Sequence, residues 1–494
     1  MDLGLRSQVR GGLKHGGDPV RYPVPMLRID YANCLLPRVG VHGLDAARLD
    51  ASSALARAGE HLTGCLSGSR GKGWQRWRLL PNELAPDHLA DVRRVVEQCR
   101  GRFDNLLVLG IGGSALGNSA LQAALNTPTW NLLDADERGG PRMFVVDNVD
   151  PQNFSAILGF CEREGGLERT LVNVVSKSGE TAETAAQFLI LRDLLQRHLG
   201  DAHAEHIVAI TDPAKGTMRE ICDASGYTTL AVPEGVGGRF SVLSPVGLFS
   251  SAMVGIDIEA LLRGGDEMDK RCSNPALREN PAALLATLLV ELAARKGKTN
   301  HVLMPYCNAM TLLGDWYCQL WAESLGKRCN LAGQEVFTGF TPIRALGATD
   351  QHSQIQLYRE GPNDKVVMFV QIEEQGDVAI PVGSGVEALR YLEGRSMGEL
   401  LHAEKRATEY ALVQSQRPNL TISMPRLDAQ HVGEFIWLWQ MATAYAGLML
   451  DIDAYDQPAV ELGKQATFAL MGREGYAEEL EKVNTTLVET QWVV

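Results

Sequence analysis

The feature that most constrains this chain is a rhythm. From about residue 95, short apolar β-prone runs alternate with longer amphipathic stretches, with runs at 106–109, 143–146, 171–175, 207–210 and 228–232. An apolar run with no polar alternation has both faces buried, as in a parallel strand covered by helices on each side. The pattern therefore predicts β-α-β units around a mainly parallel sheet, an α/β fold. A charged helical stretch at 261–271 and the Asn274-Pro275 and Asn280-Pro281 breaks interrupt it. The rhythm then resumes with a run at 301–305, a helix over 311–325, and runs at 366–372 and 420–424. A long helix at 430–450 and a charged one at 476–486 follow. We divide the chain into an irregular, partly helical segment (1–94), two α/β halves (95–272 and 273–450) and a C-terminal helical segment (451–494).

Composition narrows the function class. The chain has 494 residues, 45% hydrophobic and 22% charged, with a formal net charge of −13. An acidic balance argues against a non-specific nucleic-acid binder, which needs a basic footprint. Nine cysteines without a C-x-x-C pair read as reduced thiols in a cytoplasmic setting. The uncharged stretch 240–256 reads as a buried helix and not a membrane span, and no secretory signal is expected. His203 and His206 lack a third ligand beside them and read as a polar loop before a strand.

Six patches carry chemistry. Residues 106–117, LLVLGIGGSALG, run from a strand through a Gly-rich turn into a helix, which suits close backbone approach to an anion. Gly110 to Ala115 formally fit a dinucleotide fingerprint, but no acidic residue is placed to hold a ribose and no Lys-Ser/Thr ends the loop. A phosphate site with Ser114 as an added donor fits better. Residues 174–184, VVSKSGETAET, crowd Ser176, Ser178, Thr181 and Thr184 around Lys177 at a helix start, more hydroxyls than a cap needs. Arg239 is the lone cation in an uncharged stretch, which calls for an anion or a specific pair. Glu323 ends a helix where the dipole disfavours negative charge, a setting suited to proton transfer. His352 sits among polar neighbours. Finally, 455–464, YDQPAVELGK, puts Gln457, Glu461 and Lys464 on one face if that whole segment is helical.

The motifs GIGGSALG, VVSKSGETAET, GGRFSVLSPVG, LWAESLGK, DQHSQIQLYREGP and DQPAVELGKQ occur in this order over about residues 106 to 468. On these motifs the chain resembles the glucose-6-phosphate isomerase family, in its shorter bacterial form. The resemblance implies two sugar-isomerase domains, each a mainly parallel sheet sandwiched between helices. It also implies a homodimer with the site near the subunit interface, a sugar-phosphate substrate, and no metal or organic cofactor. It assigns Glu323 as the base moving a proton between C1 and C2, and Arg239 as the cation facing the enediolate. His352 and Lys464 become ring-opening groups and Gln457 a substrate contact. Gly113, Ser114, Ser176, Lys177 (through its backbone), Ser178 and Thr181 become sugar and phosphate contacts. One departure is Ala459, where the family usually has Gly; a helical backbone there would make it harmless. The competing readings are a non-catalytic sugar-phosphate sensor, which has no need of all four catalytic types together, and an isomerase with mannose 6-phosphate activity.

Overall fold

The structure, a computed structural model, describes residues 26–486. Its strands are β1 (Arg28–Asp30), β2 (Asn105–Leu109), β3 (Arg142–Val146), β4 (Thr170–Val175), β5 (Ile207–Thr211), β6 (Thr228–Ala231), β7 (Asn300–Pro305), β8 (Lys327–Cys329), β9 (Glu335–Thr338), β10 (Thr341–Arg344), β11 (Lys365–Ile372) and β12 (Asn419–Met424). Two five-stranded sheets result. The first has the order β3-β2-β4-β5-β6 and is parallel throughout. The second has the order β1-β12-β11-β7-β10 and is parallel except for β1, which adds antiparallel to β12.

The unbroken apolar runs are explained by burial on both faces. Leu106 and Val108 of β2 enter a core shared by the two halves, while Leu107 and Leu109 enter an outer layer of the first sheet. In β11, Val366, Met368 and Val370 join the shared core, and Val367 and Phe369 the outer layer of the second sheet. Between the sheets lies the Ala429–Met449 helix, buried along nearly its whole length and packed against the Ile258–Cys272 helix. The uncharged stretch forms the buried helix Pro245–Met253, begun by Ser244, whose Oγ accepts from the Val246 amide. Among the described residues no helix is long and apolar enough to cross a membrane.

Some elements lay outside the sequence reading. Strand β1 is three residues long and the β8–β9 hairpin is mostly exposed, so neither shows an apolar run. Strand β10 carries Pro342 in a four-residue edge strand, a residue that weakens any strand assignment.

Candidate active site

In the first sheet β2 leads on to β3 on one side, while its neighbour β4 leads on to β5 on the other. In open α/β sheets, the crevice beyond the carboxyl ends of such a pair is where ligands bind. The two Gly- and Ser-rich loops leave this pair of strands. In the first loop, Gly113 presses on the Arg239 loop so closely that a Cβ there would stand 2.2 Å from the Gly238 carbonyl carbon. Any other residue would push the loops apart. In the second, Ser176 is buried and its Oγ accepts from the Gly179 amide at 3.0 Å, and the Ser178 Oγ accepts from the Glu180 amide at 3.1 Å. Thr181 stands at the N-cap of the Ala182–Leu199 helix yet makes no side-chain cap bond. The Lys177 ammonium lies 4.9 Å from the Trp74 ring centroid, while its carbonyl accepts from Thr211 Oγ1 and the Asp212 amide. Ser114 is half-buried, its carbonyl bonded to Asn118 Nδ2.

Arg239 is 3% exposed and every N–H of its guanidinium has an acceptor. Nε donates to Ser324 Oγ (2.7 Å), Nη1 to Glu323 Oε1 (3.0 Å) and Gln457 Oε1 (2.9 Å), and Nη2 to the carbonyls of Ala454 (2.7 Å) and Asp456 (3.1 Å). Burial pulls its pKa down, and the charges of Glu323, Asp456 and Asp453 oppose that shift. The lone cation thus meets the specific pair that the sequence called for, and a cage of further acceptors that it did not show. Glu323 Oε2 accepts from Gln319 Nε2 at 3.0 Å. The field at the helix end is therefore opposed by a guanidinium in direct contact, a stronger local effect than a helix terminus supplies.

The C-terminal motif departs from expectation. The helix begins at Ala459, so Gln457 lies before it and shares no helical face with Glu461 and Lys464. Gln457 turns back to Arg239 instead, while Lys464 Nζ pairs with Glu461 Oε1 at 2.8 Å on the exposed helix. Ala459 opens the helix and is not among the residues with positive φ, so its methyl strains nothing. Beyond the helix, Arg473 Nη2 reaches Glu180 Oε2 of the phosphate-type loop at 3.0 Å. The Ala459–Leu470 helix therefore spans from the Arg239 cage to that loop, with Lys464 between the two anchors.

His352 lies elsewhere. The Thr311–Leu325 helix begins beyond the carboxyl end of β7 and runs back, so that Trp321 Nε1 donates to Nδ1 of His301 near the start of that strand at 3.0 Å. Glu323 is thus at the amino edge of the second sheet. His352 follows Gln351, whose Oε1 accepts from the Tyr306 hydroxyl just past the carboxyl end of β7. Within one chain the two residues sit at opposite ends of a helix roughly 22 Å long. The His352 ring is exposed and has no hydrogen bond to Glu323, Arg239 or Lys464 among the described residues.

Three positioning groups were not singled out from the sequence. Gln319 is four residues before Glu323 on the same helix face, a spacing that could have exposed it. Lys327 is buried, and its Nζ donates to the carbonyls of Glu323 and Asp456, each at 2.8 Å. Burial and the charge of Arg239 lower its pKa, with Asp456 opposing. Trp77, from the N-terminal segment, stacks on Phe240 at 4.9 Å and contacts Trp437 at 5.1 Å, fixing the floor under the Arg239 turn. No local signal in the sequence marks that long-range contact.

Residues 94–481 match the family described as phosphoglucose isomerase. The chain is 42% identical over 475 residues to the glucose-6-phosphate isomerase of Carboxydothermus hydrogenoformans, covering 95% of this chain and 99% of that one. It is 45% identical over 395 residues to the glucose-6-phosphate isomerase of Rubrobacter xylanophilus, covering 79% and 88% of the two chains. Among solved structures, a hypothetical protein from Thermus thermophilus is similar with a TM-score of 0.79 at 36% identity, covering 90% of this chain and 100% of that one.

Proposed function

This chain belongs to the phosphoglucose isomerase family, and on that premise we propose that its site interconverts D-glucose 6-phosphate and D-fructose 6-phosphate through a cis-enediol. The observation that carries this reading is the half-buried Glu323 carboxylate held 3.0 Å from a caged, buried Arg239 beside the two phosphate-type loops. The phosphate would sit at the start of the Ala182–Leu199 helix, against Ser176, Ser178, Thr181 and the Lys177 backbone, with Gly113 and Ser114 closing the crevice. The uncommitted Thr181 cap suits that role, since an anion can take the bonds a cap would otherwise make.

Charge balance explains the pairing of Glu323 with Arg239. When Glu323 removes the proton from C2, its own negative charge is lost and one appears on the enediolate oxygens. Arg239 then keeps one anion beside it throughout, so little reorganisation is needed as the charge moves. Returning the proton to C1 restores the starting state. His352 and Lys464 would open the sugar ring and Gln457 would contact substrate. Written this way, the reaction uses no metal or organic cofactor.

The same reading makes the protein a cytoplasmic homodimer of glycolysis and gluconeogenesis. The loops belong to a first sugar-isomerase domain (95–272), and Glu323 and His352 to a second (273–450). His352 would act in the site of a second copy, since its own chain's Glu323 lies at the other edge of the sheet. Exposed Val378, Val382, Leu389, Tyr391 and Met397, at the same carboxyl edge as His352, fit a surface covered by that copy.

The test is turnover of fructose 6-phosphate in EDTA, followed by coupled detection of glucose 6-phosphate. No product would overturn the activity, and recovery only on adding metal would overturn the cofactor-free chemistry. Mixing dissociated Glu323→Gln and His352→Ala chains addresses the sharing. Regained activity is expected, because one hybrid site then holds both intact residues; none would place both in one chain's site.

A further inference from the structure

At the opposite end of the first sheet from the two loops lies a second cavity of about 350 Å³. It opens at the starts of β2 and β4, about 20 Å of strand away from the Ser176 loop. Arg100, Arg138 and Arg169 line it, with Asp104 as the acidic member; Arg100 is exposed, and its Nε donates to Glu97 Oε2 at 2.8 Å, which leaves its Nη groups for an incoming anion. Arg169 holds Asp104 through two hydrogen bonds, Nε to Oδ2 at 3.0 Å and Nη2 to Oδ1 at 2.8 Å, so that carboxylate is already neutralised.

Arg138 is the unusual wall. It is 4% exposed; Nε donates to the Gly140 carbonyl at 2.7 Å and Nη1 to the Leu133 carbonyl at 2.5 Å, while Nη2 has no hydrogen bond among the described residues. Burial, and then the like charge of Arg142, lower its pKa, with Asp104 and Asp134 opposing. Arg138 therefore lines the cavity with its charge and with an Nη2 group committed to no other residue, so an anion entering there can take a charge-assisted bond. The rim admits one: no atom lies within 4 Å of where a side chain would begin at Gly101, Gly139 or Gly255. The remaining wall is apolar, from Val96, Phe103, Ala252 and Met253.

We propose that this cavity binds a small anionic metabolite, its phosphate or carboxylate on Arg138 and Arg100 and its carbon body against the apolar wall. The site is distinct from the isomerase crevice and sits at the roots of the two strands whose far ends carry the phosphate-type loops.

The test is calorimetric titration of inorganic phosphate, and separately of citrate, into the full chain with excess fructose 6-phosphate present. The expected result is one saturable site that survives the sugar phosphate. Binding should weaken about tenfold in Arg138→Gln, the loss of one charge-assisted contact. It should weaken similarly in Ala252→Met, which fills the cavity without touching charge. Tighter binding of phosphate assigns phosphorylated metabolites, and tighter binding of citrate assigns carboxylated ones. No saturable heat, or affinities unchanged in the variants, would overturn the proposal. If Arg138→Gln does not fold, Ala252→Met decides alone, and its isomerase turnover should stay at the wild-type level.

Discussion

The two walls of the proposed crevice are built in opposite ways. On the inner wall, Arg239 is buried with every donor committed, Glu323 is held from both oxygens, and Trp77, Phe240 and Trp437 pack beneath. The outer wall is the Ala459–Leu470 helix, with Val460, Leu462 and Leu470 exposed and Lys464 in a solvated pair with Glu461. On the proposed roles this contrast has a reason. Groups that face charge developing in the transition state act best when fixed beforehand, whereas groups that admit the sugar must let it pass. Stability and chemistry should therefore be joined on the inner wall and separable on the outer one.

The largest expected effect is on the inner wall. Glu323→Gln should lower kcat by about a thousandfold, within the range that a positioned acid–base group contributes. Sugar-phosphate affinity should change by no more than a few-fold. Loss of solvent exchange at C2, followed by NMR, reads out the proton step itself; near-normal exchange would move the base elsewhere.

Arg239→Met compared with Lys464→Met tests the contrast directly. Removing the buried cation should lower kcat about 100-fold or more. It should also cost about 3–5 kcal/mol of stability, since Glu323, Gln457 and two carbonyls lose their donor. Lys464→Met should lower kcat yet change stability by less than about 0.5 kcal/mol, because its pair is solvated. Equal melting of the two variants in urea would break the comparison.

How this arrangement was legible in sequence follows from range. The strands show because burial on both faces leaves continuous apolar runs, and the helix at about 311–325 shows because Trp316, Leu313 and Leu320 mark one face. Arg239 stood out because a cation among uncharged residues needs a partner. The partners were less legible: Ser324 and Gln457 approach it across 85 and 218 residues. Gln457 was placed on a helix because its i, i+4 spacing to Glu461 looks helical, although Pro458 ends the non-helical approach at that point. The opposite placement of Glu323 and His352 depends on the direction in which a helix returns along its sheet, and no short motif records that.

Acid should find the inner wall next. His301 is fully buried beneath Glu323's helix, bonded to Trp321 Nε1 and to the Lys298 carbonyl, and burial pushes its pKa down to about 3. An unfolded histidine takes up its proton near 6.5, so between these values the unfolded chain binds more protons. Stability is thus fully present above about pH 6.5 and falls as the pH drops toward 3, by a few kcal/mol. Urea unfolding measured across that window should show the slope, and His301→Gln, which can still accept and donate, should flatten it. An unchanged slope would assign acid sensitivity to other groups.

The smallest effect expected belongs to the outer wall's far anchor. Arg473 and Glu180 are each nearly half exposed, so their ion pair contributes at most about 1 kcal/mol. Arg473 also lies over the Phe468 ring at 4.5 Å, which ties it to the end of the Lys464 helix. Arg473→Ala should therefore leave the fold and the chemical step nearly intact and loosen the helix from the phosphate-type loop. Steady-state kinetics should show KM for fructose 6-phosphate raised two- to fivefold, about 0.4–1 kcal/mol, with kcat little changed. The increase should shrink in high salt as the wild-type pair is itself screened. A kcat loss as large as that of Lys464→Met would mean that the outer helix, too, is fixed in place for the chemistry.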